Sequence, residues 1–90
     1  MSLTLDYTPQ ESYELVWDSF RGRCAHCFAP AAHIHEIIPR AQRPGDWWEI
    51  ENRIPLCIEF HDHVHATGWR RHVENLLAMR QRGLDIHSTR

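Results

Sequence analysis

Four bulky apolar side chains recur at helical spacing between positions 13 and 20, so they would share one face of a helix. Thr8 can cap this helix, Pro9 suits its first position, and Glu11 completes a capping box. The pattern predicts an N-terminal helix over about residues 9–21, with the apolar face packed in the core.

Two short extended segments are predicted in the middle of the chain. Residues from Ala31 to Ile38 alternate as in a strand, with Ile34 opposite His33 and His35. A second strand is predicted from Arg53 to Leu56. The polar loop between the two segments contains a Pro-Gly turn signal.

Two helices are predicted after the second strand. Ile58 to His65 has the length of a short helix, and an Ala-Thr-Gly break follows it. Apolar residues then recur at helical spacing over about residues 69–82, with Gly83 just past the predicted end. Helices that flank two strands predict an α+β domain.

Length and cysteine content narrow the class of protein. Ninety residues fit one domain with a thin core, and domains of this size often depend on a metal. Cys24 and Cys27 form a C-x-x-C pair and Cys57 stands apart, which favours reduced, intracellular metal chemistry over disulfides. The chain lacks a signal-peptide pattern, and its apolar runs fall short of the ~20 residues that a membrane span needs.

The charges are unevenly distributed, although the formal net charge is only −2. All ten basic residues lie from Arg21 onward and all are arginine, whereas the first twenty residues carry only acidic charge. Arginine suits bidentate contact with phosphate. A compositional bias of the source genome would produce the same pattern, and the sequence leaves both explanations open.

Three histidines indicate a metal site. His61 and His65 are four residues apart on a predicted helix, so both imidazoles would lie on one face and could bind one cation. His35 on the preceding strand could supply a third ligand. Three protein ligands leave coordination positions open for water and substrate, which is typical of a catalytic metal site.

These segments resemble the HNH endonuclease family, whose core is the ββα-metal nuclease fold. The resemblance is carried by His35-Glu36-Ile37-Ile38-Pro39-Arg40, by Asn52, and by Leu56-Cys57 followed by His61 and His65, and it spans about residues 24–66. It implies an α+β fold with a small ββα-metal (HNH) core and flanking N- and C-terminal helices. Residues 1–90 would form a single HNH nuclease domain, similar to small phage-type members.

The resemblance also implies an activity, the hydrolysis of DNA phosphodiester bonds by nicking or cutting. One divalent cation (Mg²⁺, Mn²⁺, Ni²⁺ or Zn²⁺) would be bound by His35, His61 and His65, and the catalytic residues would be Glu36, His35 and Asn52. In this family the asparagine braces the loop between the strands or binds the metal. DNA is the implied partner, with a phage packaging or other accessory protein possible, in the cytoplasm of the host cell.

Glu36 departs from the family pattern because it stands where the family has its general-base histidine. A carboxylate can accept a proton from water but is a weaker base than imidazole. Three interpretations stay open: Glu36 is the base, His33 or His35 takes the proton, or the site binds metal without catalysis.

Phe60 is the second departure, since it replaces the last cysteine of a four-cysteine structural zinc site. Cys24, Cys27 and Cys57 remain, and a closed zinc site needs a fourth ligand. His63 or His26 could supply it. The alternative is that the zinc is lost and Phe60 fills the space.

The resemblance implies nucleic-acid contacts from Arg40, Arg43, Arg70 and Arg71, although each could be ordinary solvated surface. The rival to an enzyme is a catalytically silent zinc-binding module that binds nucleic acid or protein. A zinc-ribbon adaptor is a weaker rival.

Overall fold

The computed structural model of the protein describes residues 6–88, with side chains described as far as Ile86. In chain order its elements are helix α1 (Pro9–Ser19), strand β1 (His33–Glu36), strand β2 (Arg53–Leu56), helix α2 (Ile58–Thr67) and helix α3 (Val73–Ser88), with 3₁₀ turns at Arg40–Gln42, Ile50–Asn52 and Trp69–His72. This mixture of helices and one small sheet confirms the predicted α+β class. Over the described range, no helix is long and apolar enough to cross a membrane.

Helix α1 begins with the predicted capping box. The Thr8 hydroxyl accepts the backbone N–H of Glu11 at 3.1 Å, and the Glu11 carboxylate accepts the N–H of Thr8 at 2.8 Å. The predicted apolar face is only partly in the core: Val16 is buried, whereas Tyr13 is exposed. Ser12 of this helix is also buried, and its hydroxyl is satisfied there because it donates to the carbonyl of Trp48.

Strands β1 and β2 form an antiparallel sheet in which His35 faces Ile54 and Glu36 faces Arg53. Strand β2 has the predicted bounds, but β1 is shorter than the predicted Ala31–Ile38 segment. Ile38 leaves the ladder because its N–H and carbonyl both bond to the Asn52 side chain, at 2.8 and 2.9 Å.

Helix α3 extends further than predicted. Gly83 was expected just past the end of a helix over residues 69–82, but α3 continues through it to Ser88. A Cβ built on Gly83 would lie 2.4 Å from Cε2 of the buried Phe20. This glycine therefore allows α3 to pack closely on Phe20 and does not end the helix.

Strand β2 lies at the centre of the core, with each of its four residues buried. Its Ile54 and Leu56 belong to one core cluster with buried side chains from all three helices, from the turn that contains Cys24 and from the positions next to the strands. The other members are Val16, Phe20, Cys24, Ala25, Ile37, Cys57, Val64, Leu76 and Met79. Helix α2 starts directly after β2, with Cys57 as its N-cap. This connection places the face of α2 that carries the histidines beside strand β1.

Candidate metal centre

His35, His61 and His65 come together where β1 meets α2. One ligand atom from each side chain lies within 4.8 Å of those of the other two. The ring centroid of His35 is 5.4 Å from that of His61 and 5.6 Å from that of His65. The structure thus groups the three residues that the sequence nominated as metal ligands.

The spacing within this group suits a single ion. Nε2 of His61 lies 3.0 Å from Nε2 of His65. Two imidazole nitrogens that each bind a metal at about 2.0–2.1 Å are themselves roughly 3 Å apart. Helix geometry produces this pair because residues four apart are stacked one turn above the other.

His35 carries a buried nitrogen without a partner. Its Nε2 has no hydrogen bond within residues 6–88, and its side chain is only 6% exposed. Burial, together with a smaller contribution from the neighbouring rings of His61 and His65, lowers the pKa of His35 to about 4. Burial also lowers the pKa of His61. Neutral imidazole is the form that binds metals, so the donor set fits a divalent cation.

The three rings open onto a cavity of about 260 Å³. Its lining also includes a carboxylate, a guanidinium and an indole, from Glu36, Arg40 and Trp69. Ile34, Pro39 and Gly68 complete its wall. The cavity therefore combines three possible metal ligands with one carboxylate and one positively charged guanidinium beside them.

Glu36 points into this cavity between two arginines. Its Oε1 accepts Nε–H of Arg40 at 3.1 Å, and its Oε2 lies 3.6 Å from Nη2 of Arg53. The Arg40 side chain is 60% exposed, whereas that of Arg53 is 5% exposed. The buried Arg53 thus holds Oε2 of Glu36 from the protein interior, and the solvent-exposed Arg40 holds Oε1.

His33, the other candidate base on β1, is exposed and stacks on His61 with ring centroids 4.3 Å apart. It is not among the residues that line the cavity. Of the two alternatives to His35 as proton acceptor, only Glu36 faces the cavity.

Asn52 is 2% exposed and uses its side chain to brace the loop between the strands. Besides its two bonds to Ile38, its Nδ2 donates to the carbonyl of Trp47 at 3.0 Å. Its oxygen and both hydrogens are therefore engaged with backbone. This arrangement matches the bracing alternative for Asn52, because both the oxygen and the nitrogen of its amide contact backbone groups and not the candidate metal centre.

Cys24, Cys27 and Cys57 form a second cluster, with their sulfur atoms within 4.8 Å of one another. The sulfurs of Cys27 and Cys57 are 3.7 Å apart. Burial raises the pKa of the Cys57 thiol to about 11. Burial also acts to raise the pKa of Cys24, but hydrogen bonds from backbone N–H groups, including that of His26, bring it below its ordinary value. This three-thiol cluster is compatible with a bound metal ion.

The structure does not bring a fourth ligand into this cluster from the residues it describes. His26 stacks on Phe60 with centroids 4.2 Å apart and planes 3° apart. His63 lies beside His72, with ring centroids 5.4 Å apart. Ligation of zinc by His63 stays a prediction.

The four nominated arginines have different surroundings. Arg40 lies over the ring of Trp47 at 3.6 Å and borders the cavity. Arg70 lies over Trp69 at 4.7 Å, and Arg71 is exposed. Arg43 instead donates to two carboxylates, those of Asp46 at 2.8 Å and Glu49 at 2.6 Å. Its hydrogen bond to Asp46 holds its pKa above the ordinary value.

Sequence reasoning missed Arg53, Trp69 and His72. Arg53 carried a usable signal, because a charged residue at the start of a short apolar strand needs a buried partner. The roles of Trp69 and His72 depend on how the turn after α2 folds back, which residue spacing does not encode.

Searches against protein-family models, curated protein sequences and solved structures return no match for this chain.

Proposed function

We propose that this protein is a metal-dependent DNA endonuclease of the ββα-metal (HNH) type, hydrolysing phosphodiester bonds at a single ion. The observation that carries the proposal is the convergence of His35, His61 and His65 on a cavity that also contains Glu36. The unpartnered Nε2 of His35 supports it, because a buried polar atom without a hydrogen bond is costly unless something binds it.

The order of elements supports the same conclusion. A ligand on the first strand, a bracing asparagine before the second strand and two ligands on the following helix are the parts that the resemblance requires. A divalent cation held by these three histidines would supply Lewis-acid chemistry, polarising a phosphodiester oxygen and stabilising the leaving oxygen.

Glu36 is the proposed acceptor of the proton from the attacking water. Its bond to Arg40 is a surface ion pair in which the arginine side chain is 60% exposed, and such pairs typically contribute only about 0.2–1 kcal/mol. Arg40 can therefore exchange Glu36 for a substrate phosphate at little cost, which leaves Oε1 available to water. Arg53 keeps the other carboxylate oxygen in place.

The remaining arginines contribute unequally to the proposed DNA interface. Arg40 and Arg70 each stack on a tryptophan, which orders the guanidinium and leaves N–H groups for phosphate. The positive charge of Arg43 is offset by the carboxylates of Asp46 and Glu49, so this side chain stabilises the loop and is not available to phosphate. Arg71 has only its exposure in its favour. A phage packaging or other accessory partner stays a prediction from the resemblance.

The cysteine cluster would hold a structural Zn²⁺. Cys24 and Cys27 lie at the turn that follows α1, and Cys57 is the N-cap of α2. A zinc ion there would fix the start of the helix that carries His61 and His65. The fourth ligand would be a histidine or water.

A plasmid-nicking assay tests the proposal. The wild-type chain is incubated with supercoiled DNA and Mg²⁺, Mn²⁺, Ni²⁺ or Zn²⁺ in turn, beside His35→Ala, Glu36→Gln and the control His33→Ala. We expect cleavage by the wild type and by His33→Ala, loss of metal affinity and activity in His35→Ala, and at least a 100-fold slower rate in Glu36→Gln with metal affinity retained. Absence of cleavage by metal-loaded wild-type protein with all four ions would reject the proposal.

One observation favours the alternative, a catalytically silent zinc-binding module for nucleic acid or protein. Both oxygens of Glu36 are already engaged by arginines, and the family's base histidine is absent at that position. This alternative predicts DNA mobility shifts without cleavage, and weaker shifts for Arg40→Ala.

A further inference from the structure

Helix α2 carries a third histidine away from the candidate metal centre. His63 is two residues from both His61 and His65, a spacing that turns it towards a different side of the helix. There it meets His72, the last residue of the 3₁₀ turn Trp69–His72. The two ring centroids are 5.4 Å apart and the ring planes are inclined by 72°.

This arrangement matches the two histidine pairs of the candidate metal centre that include His35. His35 and His61 have a centroid separation of 5.4 Å and an angle of 78°. Two imidazoles that bind one ion through nitrogens at about 2.0–2.1 Å have ring centroids roughly 5 Å apart. The His63–His72 pair therefore has the separation of two ligands of a single metal.

Thr67 orients His72 for such a role. Its hydroxyl donates to the carbonyl of His63 at 2.7 Å, and the same oxygen lies 2.6 Å from Nε2 of His72. A hydroxyl has one hydrogen, so Nε2 of His72 must be the donor in the second contact. The neutral ring then carries its proton on Nε2 and has Nδ1 free as a ligand. Metal-binding histidines are commonly held by a hydrogen bond of this kind from the other nitrogen.

The pair borders an open groove of about 340 Å³, whose lining includes His26, Phe60 and Asn75. His63 is exposed and His72 is half-buried, so an ion can reach them from solvent. The groove has room for the water molecules that would complete the coordination of a two-histidine site.

We propose that His63 and His72 form a second metal site, for a transition metal ion that prefers imidazole, such as Zn²⁺, Ni²⁺ or Cu²⁺. The site is separate from the His35 centre and from the three cysteines, and it stands whether or not the protein cuts DNA. It also gives His63 a role other than fourth ligand of the cysteine cluster.

Zinc titration of the full-length protein, followed through the ¹⁵N resonances of its imidazoles, tests the proposal. We expect His72 to carry its proton on Nε2 before zinc is added, and Nδ1 of His72 to shift together with His63 as the ion binds. A protonated Nδ1 in neutral His72, or titration of His63 and His72 by different equivalents of zinc, would overturn the assignment.

Variants give a second, independent measurement by calorimetric titration with Zn²⁺. His72→Ala is expected to bind one zinc equivalent fewer than the wild type. Thr67→Val is expected to keep that equivalent but to bind it with about 10–100-fold lower affinity. Asn75→Ala, which removes a polar side chain from the lining of the same groove, is the matched control and keeps the equivalent. Unchanged stoichiometry in His72→Ala, or unchanged affinity in Thr67→Val, would contradict the proposal.

Cobalt distinguishes this site from the cysteine cluster. Co²⁺ bound to thiolates gives a charge-transfer absorption band, which His63→Ala should leave at wild-type intensity. Loss of that band in His63→Ala would assign His63 to the cysteines and overturn the proposal. Each variant is compared with the wild type by thermal unfolding in a chelator, and matching curves show that the folds are comparable. If a variant fails to fold, the tautomer of His72 measured in the wild type still tests the proposal.

Discussion

Arg53 of strand β2 lies directly opposite Glu36 of strand β1, and its Nη2 is 3.6 Å from Oε2 of that glutamate. Arg53 also donates Nη1–H to the carbonyl of Pro9 at 2.9 Å and lies 5.9 Å over the ring of Tyr13. One buried side chain thus connects helix α1 to the carboxylate at the candidate metal centre.

Replacing Arg53 should destabilise the fold. In Arg53→Met the free energy of unfolding is expected to fall by about 2–3 kcal/mol, because Glu36 loses its interior partner and the Pro9 carbonyl loses a donor. Urea denaturation measures the change. Arg23→Met, at an exposed position, is the control and should stay within about 0.5 kcal/mol of the wild type. Equal stabilities for the two variants would mean that the Glu36–Arg53 contact contributes nothing to the fold.

Gly83→Ala should also be destabilising, although alanine is the better helix former. The added methyl group would overlap the buried ring of Phe20, and overpacking typically costs about 1–3 kcal/mol against a helix-propensity gain of roughly 1 kcal/mol. A net loss of up to about 2 kcal/mol is expected in thermal or urea unfolding. At Gly45 no described atom lies within 4 Å of the added Cβ, so Gly45→Ala should be close to neutral. A stabilised Gly83→Ala would show that α3 does not pack on Phe20 in this way.

The metal-free protein should lose stability as the pH falls from about 6.5 towards 4. The pKa of His35 is lowered by burial from 6.5 to about 4, so the unfolded chain binds a proton in this interval that the folded chain excludes. His35 therefore contributes its full stabilisation above about pH 6.5 and loses about 2–3 kcal/mol relative to the unfolded state by about pH 4. The urea midpoint, measured in a chelator from pH 4 to 7, should depend less on pH in His35→Gln. Parallel pH profiles for the two proteins would contradict this expectation.

Cysteine alkylation should report on metal binding by the thiol cluster. In metal-free protein Cys27 is expected to react first with iodoacetamide, because it is exposed while Cys24 and Cys57 are buried. The raised pKa of Cys57 keeps that thiol protonated and slow to react. Added Zn²⁺ should slow modification of Cys27 at least 10-fold, as followed by mass spectrometry. Cys24→Ser should lose most of this protection, and equal rates with and without Zn²⁺ in the wild type would exclude a zinc site here.

Much of the local structure could be predicted from the sequence. The capping box of α1, the bounds of β2 and the one-turn separation of His61 and His65 depend on residues close together in the chain. Those relationships follow from helix and strand geometry once the element forms. The predicted end of the last helix was wrong because a glycine can either end a helix or allow it to pack closely on another side chain. Only the position of Phe20 shows that Gly83 does the second.

The sequence by itself determined the α+β class and nominated the three histidines and three cysteines that the structure groups into two clusters. Only the tertiary structure decided that Arg53 holds Glu36, that Arg43 is paired with carboxylates, and that His63 lies beside His72. These contacts join separate elements or reach across a loop, so they depend on strand register and on how the turn after α2 packs. Residue spacing determines which side chains share a face, and packing determines what each face meets.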